Sequence, residues 1–268
     1  FESVQTPERN GDNLKFTDLN GLRISCSTSS LANAGFRLFE TTGSAAHVEL
    51  VKTKLKGSAY ETEEALYQEA GLDFILPELR EGFDEVKLAE NKQLPKLIEY
   101  ADLKGTLHNH STWSDGVHSI EEMALYCRDV LGLEYLGLCD HSKTAVYAKG
   151  LSIERVLAQH AEIDELNARL ANFKIFKGIE SDILSDGSLD YPEDVLQKFD
   201  FIVASVHSQF KMTEEKATAR LISAIENPYT TILGHPTGRL LLSRNGYPID
   251  FKKVIDACAA NKVVIEIN

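Results

Sequence analysis

From about residue 101 the sequence predicts an α/β domain built on a parallel sheet or a β/α barrel. Three observations predict it: short apolar runs with β propensity, amphipathic runs between them, and histidines or carboxylates where the apolar runs end. Parallel strands need long crossovers, which helices supply. The predicted strands are 103–108 (LKGTLH), 133–139 (LEYLGLC), 173–180 (FKIFKGIE), 200–206 (DFIVASV), 230–235 (TTILGH) and 262–267 (KVVIEI). The helix-like runs are SIEEMALYCRDVL, SIERVLAQHAEIDELNARL, PEDVLQKF, TEEKATARLISAIE and DFKKVIDACAAN. Several open on Ser, Pro, Thr or Asp, which suit an N-cap or first-turn position.

Residues 1–100 are less regular. LRISCS and FRLFETT read as strands and TEEALYQEAG as a helix, while FILPELRE and LPKLIEY read as a linker with short helices. The expected division is 1–57, 58–100 and 101–268.

Composition narrows the function. Apolar residues make up 43% of the chain, enough for a core, but no run approaches the roughly 20 residues of a membrane span. The start, FESVQTPERNGDNLKF, has neither the basic nor the apolar segment of a signal peptide. Cys26, Cys127, Cys139 and Cys258 are scattered and form no CxxC pair, so reduced thiols in the cytoplasm are expected. A net charge of −13 disfavours non-specific contact with nucleic acid, which depends on Lys and Arg.

The stretch GTLHNHSTWSDG places His108, His110 and Asp115 where the first strand ends. Side chains two apart on a strand share a face, so the two histidines can point the same way. His141 follows the second strand, and Glu180, His207 and His235 end the third, fourth and fifth. In a β/α barrel these ends meet on one face, where active sites sit. Imidazole and carboxylate are ligands for Zn, Mn or Fe. Seven ligands exceed the needs of one tetrahedral ion and suit two or three, with Glu180 placed to bridge. Clustered divalent ions commonly hydrolyse phosphate esters.

A lone histidine at a strand end is usually half-buried and hydrogen-bonded. Its recurrence at successive strand ends argues for function. His118, past the SDG turn, His160, inside a helix, and His47, at a capped helix start, are read as structural. Lys143 and Arg239 follow ligands on the same face and are candidate phosphate contacts, Arg through a bidentate fork; Arg244 is less favoured. Asp186 and Asp190 are read as turn-forming.

These motifs, with GLCDHS, KGIESDIL, DGSLDYP, DFIVASVHS, LGHPTGRLL and VIEIN, resemble the polymerase and histidinol phosphatase (PHP) superfamily. More narrowly, they resemble the PHP domain at the C-terminus of bacterial family X DNA polymerases. FETTGSAAHVELVK resembles the palm-to-thumb segment of those polymerases, and ILPELREGFDEV the stretch joining thumb to PHP. The resemblance implies a distorted seven-stranded β/α barrel behind a partial palm and thumb, and a trinuclear site. His108 and His110 would share one ion with Glu180, Glu180 would bridge to an ion on His207 and His235, and Asp115 and His141 would hold a third. It implies Mn- or Zn-dependent 3′–5′ exonuclease and 3′-end processing activity in DNA repair. Two departures stand out. The family's late Asp-x-His is missing, as though the barrel were truncated after the sixth strand, and Ser25 stands where the family has a catalytic aspartate, so nucleotide transfer is expected to be absent. A DNA-end phosphodiesterase, a small-molecule phosphatase of the histidinol phosphate type and an inactive scaffold are the readings carried forward.

Overall fold

The computed structural model describes residues 8–267. The N-terminal reading against a signal peptide falls partly on residues 1–7, which lie outside the described residues. The chain forms two compact units, Phe1–Leu97 and Ile98–Asn268.

In the first unit β1 (Glu8–Asn10), β2 (Asn13–Thr17) and β3 (Arg23–Ser27) form an antiparallel sheet, β3 being the expected LRISCS strand. Then come α1 (Ala34–Thr42), α2 (Ala45–Lys52), α3 (Glu63–Glu69) and α4 (Glu85–Glu90). The strand reading of FRLFETT is wrong, since that stretch lies in α1. Its phenylalanines and threonines have β propensity, but the buried residues are Gly35 and Phe39, four apart on one helix face. LPKLIEY carries no helix before the 3-10 turn Tyr100–Asp102. One core joins Phe39, Val48 and Val51 to Leu66, Tyr67, Ile75 and Val86, taking residues from both sides of position 57. Ser44 caps α2 by accepting from His47 N–H, and the His47 ring is buried between Glu85 Oε1 (2.7 Å) and Tyr67 Oη (2.9 Å).

The second unit alternates strand and helix: β4 (Gly105–Asn109), α5 (Ile120–Asp129), β5 (Tyr135–Leu138), α6 (Ile153–Arg169), β6 (Lys174–Asp182), α7 (Glu193–Leu196), β7 (Phe201–Ser205), α8 (Glu214–Ile225), β8 (Ile232–Leu233), α9 (Phe251–Asn261) and β9 (Val264–Ile265). The six strands pair in chain order, all parallel, and the sheet curls into a half barrel. This is the expected distorted β/α barrel architecture, with six strands among the described residues. Ser119, Ser152, Thr213 and Asp250 each accept a backbone N–H from the first turn of the helix they open, as their positions in the sequence predict.

The alternation of side chains sorts the sheet into two faces. Ile179, Ile202, Ala204 and Leu233 pack with Leu221 and Val254 of the covering helices. The opposite face carries a small cluster of Cys139, Phe201, Val203 and Ile232, with Phe176 against it. Phe201 fits there because Gly178 has no side chain: a Cβ at that position would lie 2.2 Å from Phe201 Cζ and 2.3 Å from the Leu138 carbonyl. Two residues further along the same face from Gly178 is Glu180, and then Asp182. The cluster therefore fills the space below the strand ends and leaves the ends themselves to polar side chains.

His160 in α6 is structural, as read from the sequence. It is buried, its ring packs edge-on against Phe199 at 5.0 Å, and its Nε2 has no hydrogen-bond partner. Burial pushes its pKa down from 6.5 to about 4. Between those values an unfolded chain takes up the proton and the folded chain does not, so stability falls as pH drops from 6.5 towards 4. His160→Leu should flatten that fall, and thermal melting of both proteins across this range measures it. An equal loss in the two would show that His160 contributes nothing to acid sensitivity.

Candidate metal centre

The strand ends converge on one carboxylate. Glu180, on β6, is 1% exposed. Its Oε1 lies 2.8 Å from His235 Nε2, 3.0 Å from His207 Nε2 and 3.1 Å from His108 Nε2. Its Oε2 lies 3.0 Å from His141 Nδ1 and 3.6 Å from His110 Nε2. Asp115 closes the second group, 3.5 Å from His110 Nδ1 and 3.6 Å from His141 Nε2, with about half of its side chain exposed. All seven candidate ligands expected from the sequence thus gather at the C-terminal ends of the strands. Oε1 faces His108, His207 and His235 and Oε2 faces His110 and His141, while the rings of His108 and His110 lie 5.5 Å apart.

Local irregularities aim these side chains. Thr106 pairs with Leu136 and Asn109 with Leu138, so three residue steps on β4 oppose two on β5. This bulge brings Leu107 and His108, consecutive in sequence, to line the same cavity. Simple alternation therefore gave the right side for His108 by a different route from the one expected. His108 takes a left-handed conformation with φ 61°, and His235 has φ 22°. Neither is a comfortable conformation for a residue with a Cβ.

The GTLHNHSTWSDG loop is built on a residue that the sequence reading passed over. Asp140 is fully buried and accepts from Ser111 N–H (2.8 Å), Ser111 Oγ (2.7 Å), Gln159 Nε2 (2.6 Å) and Ser114 Oγ. It ties the loop holding His110 and Asp115 to the strand end holding His141. Two further carboxylates were missed. Asp182 Oδ1 makes a short hydrogen bond with His207 Nδ1, and Glu266 Oε1 lies 2.6 Å from His108 Nδ1. Both had a signal: Asp182 is two residues beyond Glu180 on one face, and Glu266 ends the sixth strand as the other site residues end theirs.

The cavity over Glu180 has a volume of about 390 Å³ and is lined by Leu107, His108, His110, His141, Glu180, His207, His235 and Glu266. Lys143 and Arg239 are exposed and lie outside this lining. Arg244 stacks on Phe210, 3.7 Å from the ring centroid, and donates to the Gly238 carbonyl. Asp186 holds a turn by accepting from Ser188, as expected; Asp190 instead accepts from Thr144 N–H, pinning the loop after His141. His118 is exposed.

Electrostatics favour a cation here. Burial pushes the Glu180 carboxyl up, but hydrogen bonds from His108, His207 and His235 outweigh it and hold the carboxyl well below the usual range. Burial lowers the pKa of His108 and His207, yet the carboxylates of Glu180 and Glu266, and of Asp182 and Glu180, raise both to about 9. Burial leaves His141 lowered. A cation binding there would compete with protons for His108 and His207. The Nδ1 atoms of His110 and His141 are buried and make no hydrogen bond, which suits nitrogens available for a metal. Two sets of donor atoms have the compactness of a metal site, His108–Glu180–His235 and His110–His141–Glu180, and they share Glu180.

No family model matches the chain. The DNA polymerase/3′-5′ exonuclease PolX of Bacillus subtilis is 43% identical over 222 residues, which is 82% of this chain and 38% of that protein. A probable phosphatase of Caldanaerobacter subterraneus is 38% identical over 104 residues, covering 37% of this chain and 39% of its own. These two relatives fit the PHP superfamily. Another relative, a probable phosphatase of a Thermoanaerobacter species, is 30% identical over 62% of this chain and 65% of its own. Among solved structures, histidinol phosphate phosphatase from Lactococcus lactis, complexed with zinc, L-histidinol and phosphate, is 17% identical with a TM-score of 0.44, covering 62% of this chain and 73% of that one. The chain spans between 38% and 65% of the length of the three sequence relatives named here.

If Glu180 serves both donor sets, a neutral amide there should disable both. Glu180→Gln is expected to lower bound Mn²⁺ or Zn²⁺ by more than one ion per chain, measured by elemental analysis after loading and desalting. Unchanged stoichiometry would rule out the shared role.

Proposed function

We propose that this chain is a PHP-type, metal-dependent phosphoesterase that hydrolyses 3′-terminal DNA phosphodiesters. The observation that carries the proposal is the division of labour at Glu180, whose two oxygens face separate imidazole groups. His108, His207 and His235 would hold one cation with Oε1. His110, His141 and Asp115 would hold a second with Oε2, and the resemblance allows a third at Asp115 and His141. Zn²⁺ or Mn²⁺ fits these donors, with iron a further option. Bound cations would supply Lewis acidity and a hydroxide near neutral pH.

The chain's own groups would do the rest. Glu180 fixes the spacing of the two donor sets. Asp115, half exposed, faces the side from which water and substrate arrive. Lys143 and Arg239, exposed after His141 and His235, would contact substrate phosphate. Ser25, on β3, offers no carboxylate for Mg²⁺, so nucleotide transfer is outside the proposed activity.

The breadth of the match to the polymerase/exonuclease, which takes in 82% of the chain, supports a DNA end as substrate. On this reading residues 1–57 are a partial palm and thumb, 58–100 a helical joining segment and 101–268 the phosphoesterase domain, acting in the cytoplasm in DNA repair. No helix among the described residues is long and apolar enough to cross a membrane. A second reading, a phosphorylated small molecule as substrate, is favoured by the net charge of −13, which repels DNA.

The two readings separate in one assay. Mn²⁺-loaded protein should release nucleotides from the 3′ end of a labelled recessed duplex and leave histidinol phosphate largely intact. Turnover of histidinol phosphate alone would select the small-molecule reading. A metal-loaded chain inactive on both would overturn the assignment as a phosphoesterase.

A further inference from the structure

Glu180 meets two of its imidazoles in the same way. His108 and His207 each turn Nε2 towards Oε1, and each places Nδ1 against a different carboxylate, Glu266 and Asp182 respectively. We propose that Glu266 and Asp182 are positioning residues that hold the Nδ1–H form of His108 and His207, so that both rings offer a bare Nε2 to a cation at Glu180 Oε1. The inference rests on the metal-centre reading above and adds to it the residues that orient the ligands and the order in which the two donor sets fill.

A neutral imidazole has one N–H and one lone pair, and only the nitrogen with the lone pair can bind a metal. A carboxylate facing Nδ1 keeps the proton there and raises the basicity of Nε2. The two devices come from different parts of the sheet, Asp182 from the end of β6 and Glu266 from just past β9. Each is itself anchored. Asp182 Oδ2 accepts from Thr144 Oγ1 at 2.6 Å. Glu266 Oε2 accepts the His235 N–H at 2.8 Å, so one side chain orients the ring of His108 and holds the backbone of His235 in its left-handed conformation.

The rings at Oε2 are held differently. His110 turns Nδ1 towards Asp115 Oδ1 at 3.5 Å without a hydrogen bond, and His141 turns Nδ1 itself, not Nε2, towards Glu180 Oε2 at 3.0 Å. A carboxylate hydrogen-bonded to Nδ1 behind an Nε2 that faces Glu180 is thus found at the Oε1 rings, and the first equivalent of metal should go there.

Zn²⁺ affinity measured by chelator competition tests this, together with long-range ¹H–¹⁵N spectra of the histidines in the Zn²⁺-loaded protein. Wild type should bind in two steps, with Nδ1–H resonances retained for His108 and His207. Glu266→Ala should weaken the first step by about 10- to 100-fold and lose the protected Nδ1–H of His108 while keeping that of His207. Asp182→Ala should give the converse pattern. Glu266→Gln, whose amide oxygen still accepts, should recover part of the lost affinity. A purely structural role would not sort the two resonances by variant. First-step affinity in Glu266→Ala within twofold of wild type, or both resonances intact in both variants, would overturn the inference and leave the metal centre standing. Failure of wild type to bind Zn²⁺ would overturn both.

Discussion

A carboxylate that is 1% exposed stays charged only if its surroundings supply partners, and Glu180 has five imidazoles within 3.6 Å. Leaving such a charge unpaired costs on the order of 3–5 kcal/mol, so the strand ends are organised to surround it. The barrel face below prepares the position. Gly178 gives up its side chain to Phe201, the apolar cluster closes the interior there, and the next inward residue on β6 is Glu180. Fold and chemistry meet at that step of two residues along one strand.

The neighbours of Glu180 are held by less regular means. A bulge in β4 turns His108 inward, and two histidines occupy left-handed backbone conformations that cost about 1–3 kcal/mol each. Such conformations persist where hydrogen bonds over-determine them. Glu266 does this for His235, and Asp140 separately fixes the loop of His110 and Asp115. The acids around the site thus divide into Glu180, which faces the donor nitrogens, and Asp140, Asp182 and Glu266, which hold them.

Much of this was legible in the sequence. The strand–helix alternation of 101–268, four side-chain helix caps and the seven residues that gather at Glu180 follow from period, capping chemistry and the rule that barrel strands end on one face. What escaped depended on tertiary contact. FRLFETT carries β-forming Phe and Thr, yet Gly35 and Phe39 bury it as a helix. Asp140 sits in the quoted GLCDHS stretch, but it gains its role from serines 26 and 29 residues away. Glu266 was within reach, since the rule that selected Glu180 and His235 at their strand ends selects it as well. Which oxygen of Glu180 each ring faces was not, because that depends on side-chain geometry in the folded chain.

The central claim is that Glu180 stands between two cation sites, and anomalous diffraction from crystals soaked in Mn²⁺ tests it most directly. The account predicts two peaks flanking the Glu180 carboxylate, one against His108, His207 and His235 and the other against His110, His141 and Asp115. A single peak, or peaks that leave Glu180 outside the coordination sphere, would contradict it.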